Sequence, residues 1–228
     1  MNIIEKYDKP FQYGALMLNV VMAYKFFMLW YAPSFQDNEK ITSFISLMVF
    51  EFVMVHSGIF MAVMPKRISL FIMVPFYAVF AFAFNTMTND NSILVLYCIV
   101  VFNRMRFAFS DTSSDLKARV ILNSFSSMGV YFVLIFVVLI FQSLIPFLGL
   151  TPTFLKETNF YESITATGEF IEKPHITMCF GVLYYIGLSI VEAYFLSWNP
   201  LPEKSNSTKP NKNYKKLFEN KDRIRNER

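Results

Sequence analysis

The sequence predicts an all-α polytopic membrane protein, a bundle of six transmembrane helices with both termini in the cytoplasm. Three observations predict it. Of the 228 residues 54% are hydrophobic and 17% charged, and the mean hydropathy is +0.39, which leaves too little polar surface for a water-soluble globule. Six apolar runs are long enough to cross about 30 Å of hydrocarbon, roughly 20 residues each. Lysine and arginine fall mostly on one side of the segments that these runs separate.

Residues 1–10, MNIIEKYDKP, form a short cytoplasmic segment with no apolar stretch leading to a small-residue cleavage site, so they read as no removable signal peptide. The transmembrane domain covers 11–198, with spans at Phe11 to Ala32, Ile41 to Met64, Ile68 to Met87, Ser92 to Phe109, Phe125 to Leu148 and Ile176 to Trp198. Pro75 should kink the third, because it removes one backbone hydrogen bond and crowds the preceding turn. Charges followed by apolar residues in DLKARVILNSF start the fifth helix below the membrane, with Ser113 or Ser114 as its cap. With the N-terminus cytoplasmic, the inside segments hold Lys6, Lys9, Lys66, Arg67, Arg104, Arg106, Lys117, Arg119 and nine more after Trp198. The outside segments hold Lys40, Lys156 and Lys173, a split of 17 to 3 that leaves out Lys25 within a span.

The long outside loop, 149–175, interleaves Glu157, Glu162, Glu169 and Glu172 with Phe154, Phe160, Tyr161 and Phe170. It reads as a solvated connector with a short interfacial helix, or alternatively as a lid or partner-docking surface. The tail, 199–228, turns abruptly polar and basic and reads as largely disordered, with attraction to anionic lipid headgroups as its evident role. Its Asn206-Ser207-Thr208 sequon falls on the cytoplasmic side and should carry no glycan. Cys98 and Cys179 lie inside apolar runs, as free thiols that behave as small hydrophobes.

The second run, ITSFISLMVFEFVMVHSGIFMAVM, organises the rest, because Glu51 and His56 are costly in a bilayer unless they face protein or water. Measured by the helical rise from the inner end of each span, Lys25 and Glu51 both lie at about 20 Å. They form a candidate upper ion pair, with snorkelling of Lys25 as its alternative. A lower polar layer gathers His56, Asn103, Arg104 and Glu192. Gly181, Tyr185, Ser189 and Glu192 form one stripe of the sixth helix, which adds Tyr185 and Ser189 to that layer. Arg104 and Glu192 are the charge pair expected there. Gly58 and Ala62 are spaced as a small-xxx-small helix contact, and His56 lies about 140° around the helix from Glu51, which argues against a direct dyad.

No catalytic residues, metal site or cofactor are expected. His175 and His56 sit at opposite depths and cannot bracket a haem, HExxH is absent, and there is no GxSxG element or glycine-rich phosphate loop. Phe52 and His56 have the spacing found in some intramembrane proteases, without the paired glutamates those sites need. A lone intramembrane histidine is more often a structural hydrogen-bonding residue.

VHSGIFM at 55–61 and, more loosely, ARVILNSF at 118–125 resemble segments of an uncharacterised family of bacterial multi-pass membrane proteins. The resemblance covers under a fifth of the chain and implies a bacterial cytoplasmic (inner) membrane location without an activity. The expected role is a structural, assembly or accessory subunit of a membrane complex, with a membrane-protein partner or a second copy as its contact and no nucleic-acid partner. A small ion- or proton-coupled transporter using the polar layer is the alternative, and an intramembrane enzyme comes third.

Overall fold

A computed structural model of the protein describes residues 8–56, 60, 64–86, 91, 94–95, 97–99, 114–164 and 167–197. All regular structure among the described residues is helical. The longer helices are α1 (Asp8–Tyr31), α2 (Asn38–Val55), α3 (Val74–Asn85) and α4 (Ser114–Ile140). Three short helices follow, α5 (Pro152–Glu157), α6 (Phe160–Ser163) and α7 (Glu169–Glu172), and then α8 (Pro174–Ser197). Three helical segments are long and apolar enough to cross a membrane, namely Lys9–Tyr31, Ala118–Ile140 and Pro174–Ser197, while Ser69–Asn85 is a shorter apolar helix. The second predicted run is helical through Val55, and amide bonds from Phe60 to the His56 carbonyl and from Met64 to the Phe60 carbonyl carry the same spacing onward. The fourth predicted span, Ser92 to Phe109, lies largely outside the described residues, as do 1–7 and the basic tail.

Two prolines decide how apolar runs become helices. A π-helical stretch, Ser69–Met73, precedes Pro75, and the Val74 amide bonds to the Ser69 carbonyl five residues back. Widening the turn just before the proline makes room for a ring that would otherwise crowd the preceding turn. The fifth run was expected to stay helical to Leu148, but α4 stops at Ile140 and a 3-10 turn, Gln142–Leu144, follows. Ile145, the residue before Pro146, adopts an extended conformation with ψ 119°. A residue preceding proline is driven out of the helical region, and hydropathy alone does not register that constraint.

Residues 141–164 and 167–173 fold back over one end of the helical body. Leu150, Leu155 and Phe160 are 0%, 2% and 0% exposed, so this segment contributes to the core. Thr151 caps α5 by accepting from the Phe154 amide at 3.2 Å, and Asn159 supplies the left-handed turn, φ 52°, between α5 and α6. The cap is tied to each neighbour. Trp30 Nε1 donates to the Pro146 carbonyl at 3.0 Å and the Gly149 amide to the Trp30 carbonyl at 3.0 Å. Asn38 Nδ2 donates to the Thr158 carbonyl at 3.3 Å, and the Thr177 hydroxyl to the Phe170 carbonyl. A Cβ on Gly149 would meet Pro33 Cδ at 2.2 Å, so this close approach of cap and α1–α2 turn requires glycine. In that turn Asp37 accepts from the Ser34 amide and hydroxyl and pairs with Lys40 at 2.7 Å. Burial acts to raise its carboxyl, but the bonds from Lys40 and Ser34 prevail and hold it below its ordinary value.

The main core packs α1, α2, α4, α8 and the cap around Phe26, Ile41, Ile176, Met178, Phe180 and Tyr184. A second cluster joins Phe50 and Met54 of α2 to Tyr77, Ala81 and Tyr97. Helix α2 therefore lies between two packed groups. Helix α1 packs closely against α8, where Gly181 faces the fully buried Phe26 ring and a Cβ would sit 2.3 Å from Phe26 Cδ1. Gly14 of α1 has no atom within 4 Å of a built Cβ. Gly181→Ala should lower the melting temperature in detergent through overpacking worth about 1–3 kcal/mol, whereas Gly14→Ala should leave it unchanged or slightly raised. Equal effects of the two variants would show that α1 and α8 do not cross at Gly181.

Candidate functional site

Glu51 is the buried carboxylate among the described residues. Its side chain is 7% exposed, and it accepts from Tyr185 Oη at 3.1 Å and Tyr184 Oη at 3.4 Å. Both tyrosines come from consecutive positions of α8, which places their rings about 100° apart on the helix and lets them converge on the carboxylate from two sides. Tyr131 of α4 stands beside them, 5.2 Å from the Tyr184 ring in edge-on contact, and donates to the Met48 carbonyl of α2 at 3.1 Å. Phe26 of α1 stacks on Tyr185 at 5.5 Å and meets Phe44 of α2 edge-on at 4.7 Å. Four helices thus meet at one carboxylate. The phenol hydroxyls provide hydrogen bonds and their rings fill the surrounding volume, so one residue type meets both demands of a dry site.

A second polar group lies toward the opposite end from the cap. Gln12 of α1 is 7% exposed; with its amide oxygen turned toward α4 it accepts from Arg119 Nη2 at 2.7 Å and Nε at 3.2 Å. One turn along α4, Asn123 Nδ2 donates to Glu192 Oε2 of α8 at 2.7 Å. Ser127, a further turn on, returns its hydroxyl to the Asn123 carbonyl at 2.9 Å. Arg119, Asn123 and Ser127 form one i, i+4 stripe, with its first two members directed at different neighbours.

The expected layers are rearranged by these contacts. Lys25 and Glu51 do not form the upper pair: Lys25 is exposed and makes no ion pair or hydrogen bond among the described residues, while Glu51 is buried against α8. The residues flanking Lys25 explain the difference. Met22, Ala23, Phe26 and Leu29 form the buried face of α1, and Lys25 falls outside it. Tyr185 belongs with Glu51 instead of the lower layer, and the Ser189 hydroxyl returns to the Tyr185 carbonyl at 2.8 Å. Glu192 accepts from Asn123, and its expected partner Arg104 lies outside the described residues. His56 ends α2, where its Nδ1 bonds the Phe52 carbonyl at 3.0 Å; a carbonyl only accepts, so Nδ1 carries the proton. Its ring packs edge-on against Phe52 and Phe132 at 5.6 and 5.7 Å. Asn103, Arg104, Gly58 and Ala62 lie outside the described residues.

Sequence reasoning passed over Tyr131, Tyr184, Gln12, Arg119 and Asn123. The i, i+4 spacing of Arg119, Asn123 and Ser127 was a usable signal, masked by assigning Arg119 to a cytoplasmic loop. Among the described residues no group of three or more His, Cys, Asp or Glu side chains could hold a metal ion, and both cysteines are free, Cys98 exposed and Cys179 buried. Compared with protein-family models, characterised proteins and solved structures, the chain matches none.

Tyr185→Phe removes one hydroxyl from Glu51 and should destabilise the protein by about 1 kcal/mol, with Glu51→Leu costing more because both phenols then lose their acceptor. Lys25→Met should leave the melting temperature in detergent unchanged within about 0.5 kcal/mol. A loss for Lys25→Met that is cancelled in the double variant with Glu51→Gln would restore the ion pair.

Proposed function

We propose that the chain is a six-span protein of the bacterial cytoplasmic membrane, with both termini cytoplasmic, that acts without an enzymatic centre as a structural, assembly or accessory subunit of a membrane complex. The observation that carries this reading is the commitment of Glu51, the deepest carboxylate described, to hydrogen bonds from Tyr184 and Tyr185 that join α2 to α8. A carboxylate enclosed by aromatic rings and bound by structural donors is arranged to specify helix neighbours.

Parity supports the six spans. The α1–α2 turn and the 141–173 cap share one end of the body, and Gln12 meets Arg119 at the other. The chain thus leaves α2 and enters α4 at the same end, which requires an even number of crossings between them; the apolar helix Ser69–Asn85 supplies one and the run Ser92 to Phe109 the other. The 17 to 3 split of Lys and Arg supports the orientation. The basic tail then lies against anionic headgroups of the inner leaflet.

A proton-coupled carrier is the second reading, favoured by Glu51 itself, since buried titratable groups in spans mark proton relays as well as structural contacts. Purification from native membrane in mild detergent separates the two. A stoichiometric protein partner is expected; a lone monodisperse protein whose melting temperature rises with one ion or solute would replace the accessory reading with the carrier. For the topology, single cysteines at Ser163 and Ser205, in a background lacking Cys98 and Cys179, should react with an impermeant reagent from opposite sides of the membrane. Reaction from the same side would overturn six spans.

A further inference from the structure

The outward face of α1 combines features that a lipid-facing surface does not need. Gly14, Met17, Val21, Tyr24, Lys25 and Met28 fall within about 100° of the helix circumference. Met17 and Tyr24 are 70% and 63% exposed, and Lys25 has no partner among the described residues. Gly14 leaves open space where a Cβ would stand, so a second backbone can approach there.

Lys25 lies six residues before Tyr31, about 9 Å below that end of the helix. Distance alone would let the side chain snorkel to the nearer interface. Direction opposes it: every Cα–Cβ bond of a helix tilts toward the N-terminus, and a long side chain covers the turn before its own Cα. In α1 that direction leads away from Tyr31 and toward Val21, into the middle of the span. Lipid phosphates lie at the surface, so an acceptor for the ammonium at that depth has to be carried on a helix. The chain's own described span carboxylates are engaged elsewhere, Glu51 by Tyr184 and Tyr185 and Glu192 by Asn123.

We infer that this face of α1 docks a transmembrane helix of a different protein, which places an Asp or Glu carboxylate against Lys25 and packs its backbone near Gly14. The inference rests on the accessory-subunit reading and names the contact through which it operates. Charge complementarity sets the partner's chemistry, Gly14 sets the close approach, and Met17 and Met28 are side chains that adapt to a neighbouring surface.

The test uses the full chain in its native membrane, with a photoactivatable benzoylphenylalanine at Met17 in one version and at Val21 in another. Irradiation should give one discrete adduct, identified by mass spectrometry as an apolar helix containing Asp or Glu. Lys25→Met should lower the adduct yield roughly tenfold or more, the loss of one charge pair, while Lys25→Arg should retain it. An unaltered melting temperature for Lys25→Met certifies the fold. An adduct indifferent to Lys25→Met, an adduct only with lipid, or an adduct only with a second copy of this chain would each overturn the inference. If a stoichiometric partner still co-purifies in those cases, the accessory reading survives and only the docking face is wrong; if the wild-type chain has no partner at all, the accessory reading itself fails.

Discussion

A carboxylate removed from water must be given hydrogen-bond donors, and the placement of Glu51 is the constraint on which the helix arrangement depends. Desolvating a carboxyl costs several kcal/mol unless its oxygens are bound. Glu51 lies thirteen residues into α2, about 20 Å from Asn38, too deep for water to reach from the capped end. Donors had to come from a neighbouring helix. Tyr184 and Tyr185 provide them from α8, and their rings, with Tyr131 and Phe26, make the carboxylate a junction of α1, α2, α4 and α8. Apolar helices in lipid have no hydrophobic force to drive them together, so a buried acceptor adds to close packing in discriminating among otherwise similar arrangements.

That junction also sets what the rest of the bundle must accommodate. Tyr185 stacks on Phe26, and for the two rings to meet, α1 and α8 must run close together; Gly181, one turn before Tyr185, leaves the room for Phe26. The cap then closes the same pair of helices from the end. Trp30 is held by Pro146 and in turn holds Gly149, and Thr177 near the start of α8 bonds to Phe170 of the cap. The cap is therefore continuous with the core and extends the α1–α8 contact beyond the helices.

Much of this was legible in the sequence, and the failures have identifiable physical causes. All-helical architecture and the apolar helices follow from run length and composition, and Glu51 stood out as costly. Its partner was sought among opposite charges because a charge pair is the most familiar remedy for burial, yet Lys25 falls outside the buried face of α1 that carries Phe26. Depth counting did carry the better answer. Tyr185 lies thirteen residues from Trp198, about 20 Å by helical rise, the same depth as Glu51. The stripe of polar residues on α8 drew it instead toward Glu192. Helix ends failed for a different reason: hydropathy counts FQSLIPFL as membrane, whereas Pro146 forces Ile145 out of the helix. Tyr131 and Tyr184 were invisible to any search for polar residues, because tyrosine in an apolar run reads as aromatic bulk until a carboxylate is found beside it.

The two polar groups inside the bundle differ in a way that follows from depth. Arg119 lies five residues into α4 and Glu192 five residues from the end of α8, each about 8 Å from a helix terminus. Both are bound by amides, Gln12 and Asn123, which add one or two hydrogen bonds, and Arg119, leaning toward the nearby start of α4, stays within reach of interfacial water. Glu51, near the middle of the run Ile41 to Met64 and about 15 Å from its nearer end, is bound by phenols. An amide brings both donor and acceptor atoms, and each must then be satisfied; Asn123 Oδ1 is already buried without a partner among the described residues. A phenol brings one hydroxyl on an apolar ring and leaves little unsatisfied behind it. The deeper the carboxylate, the more the balance shifts toward the donor that carries the least extra polarity, which is why tyrosine and not asparagine surrounds Glu51.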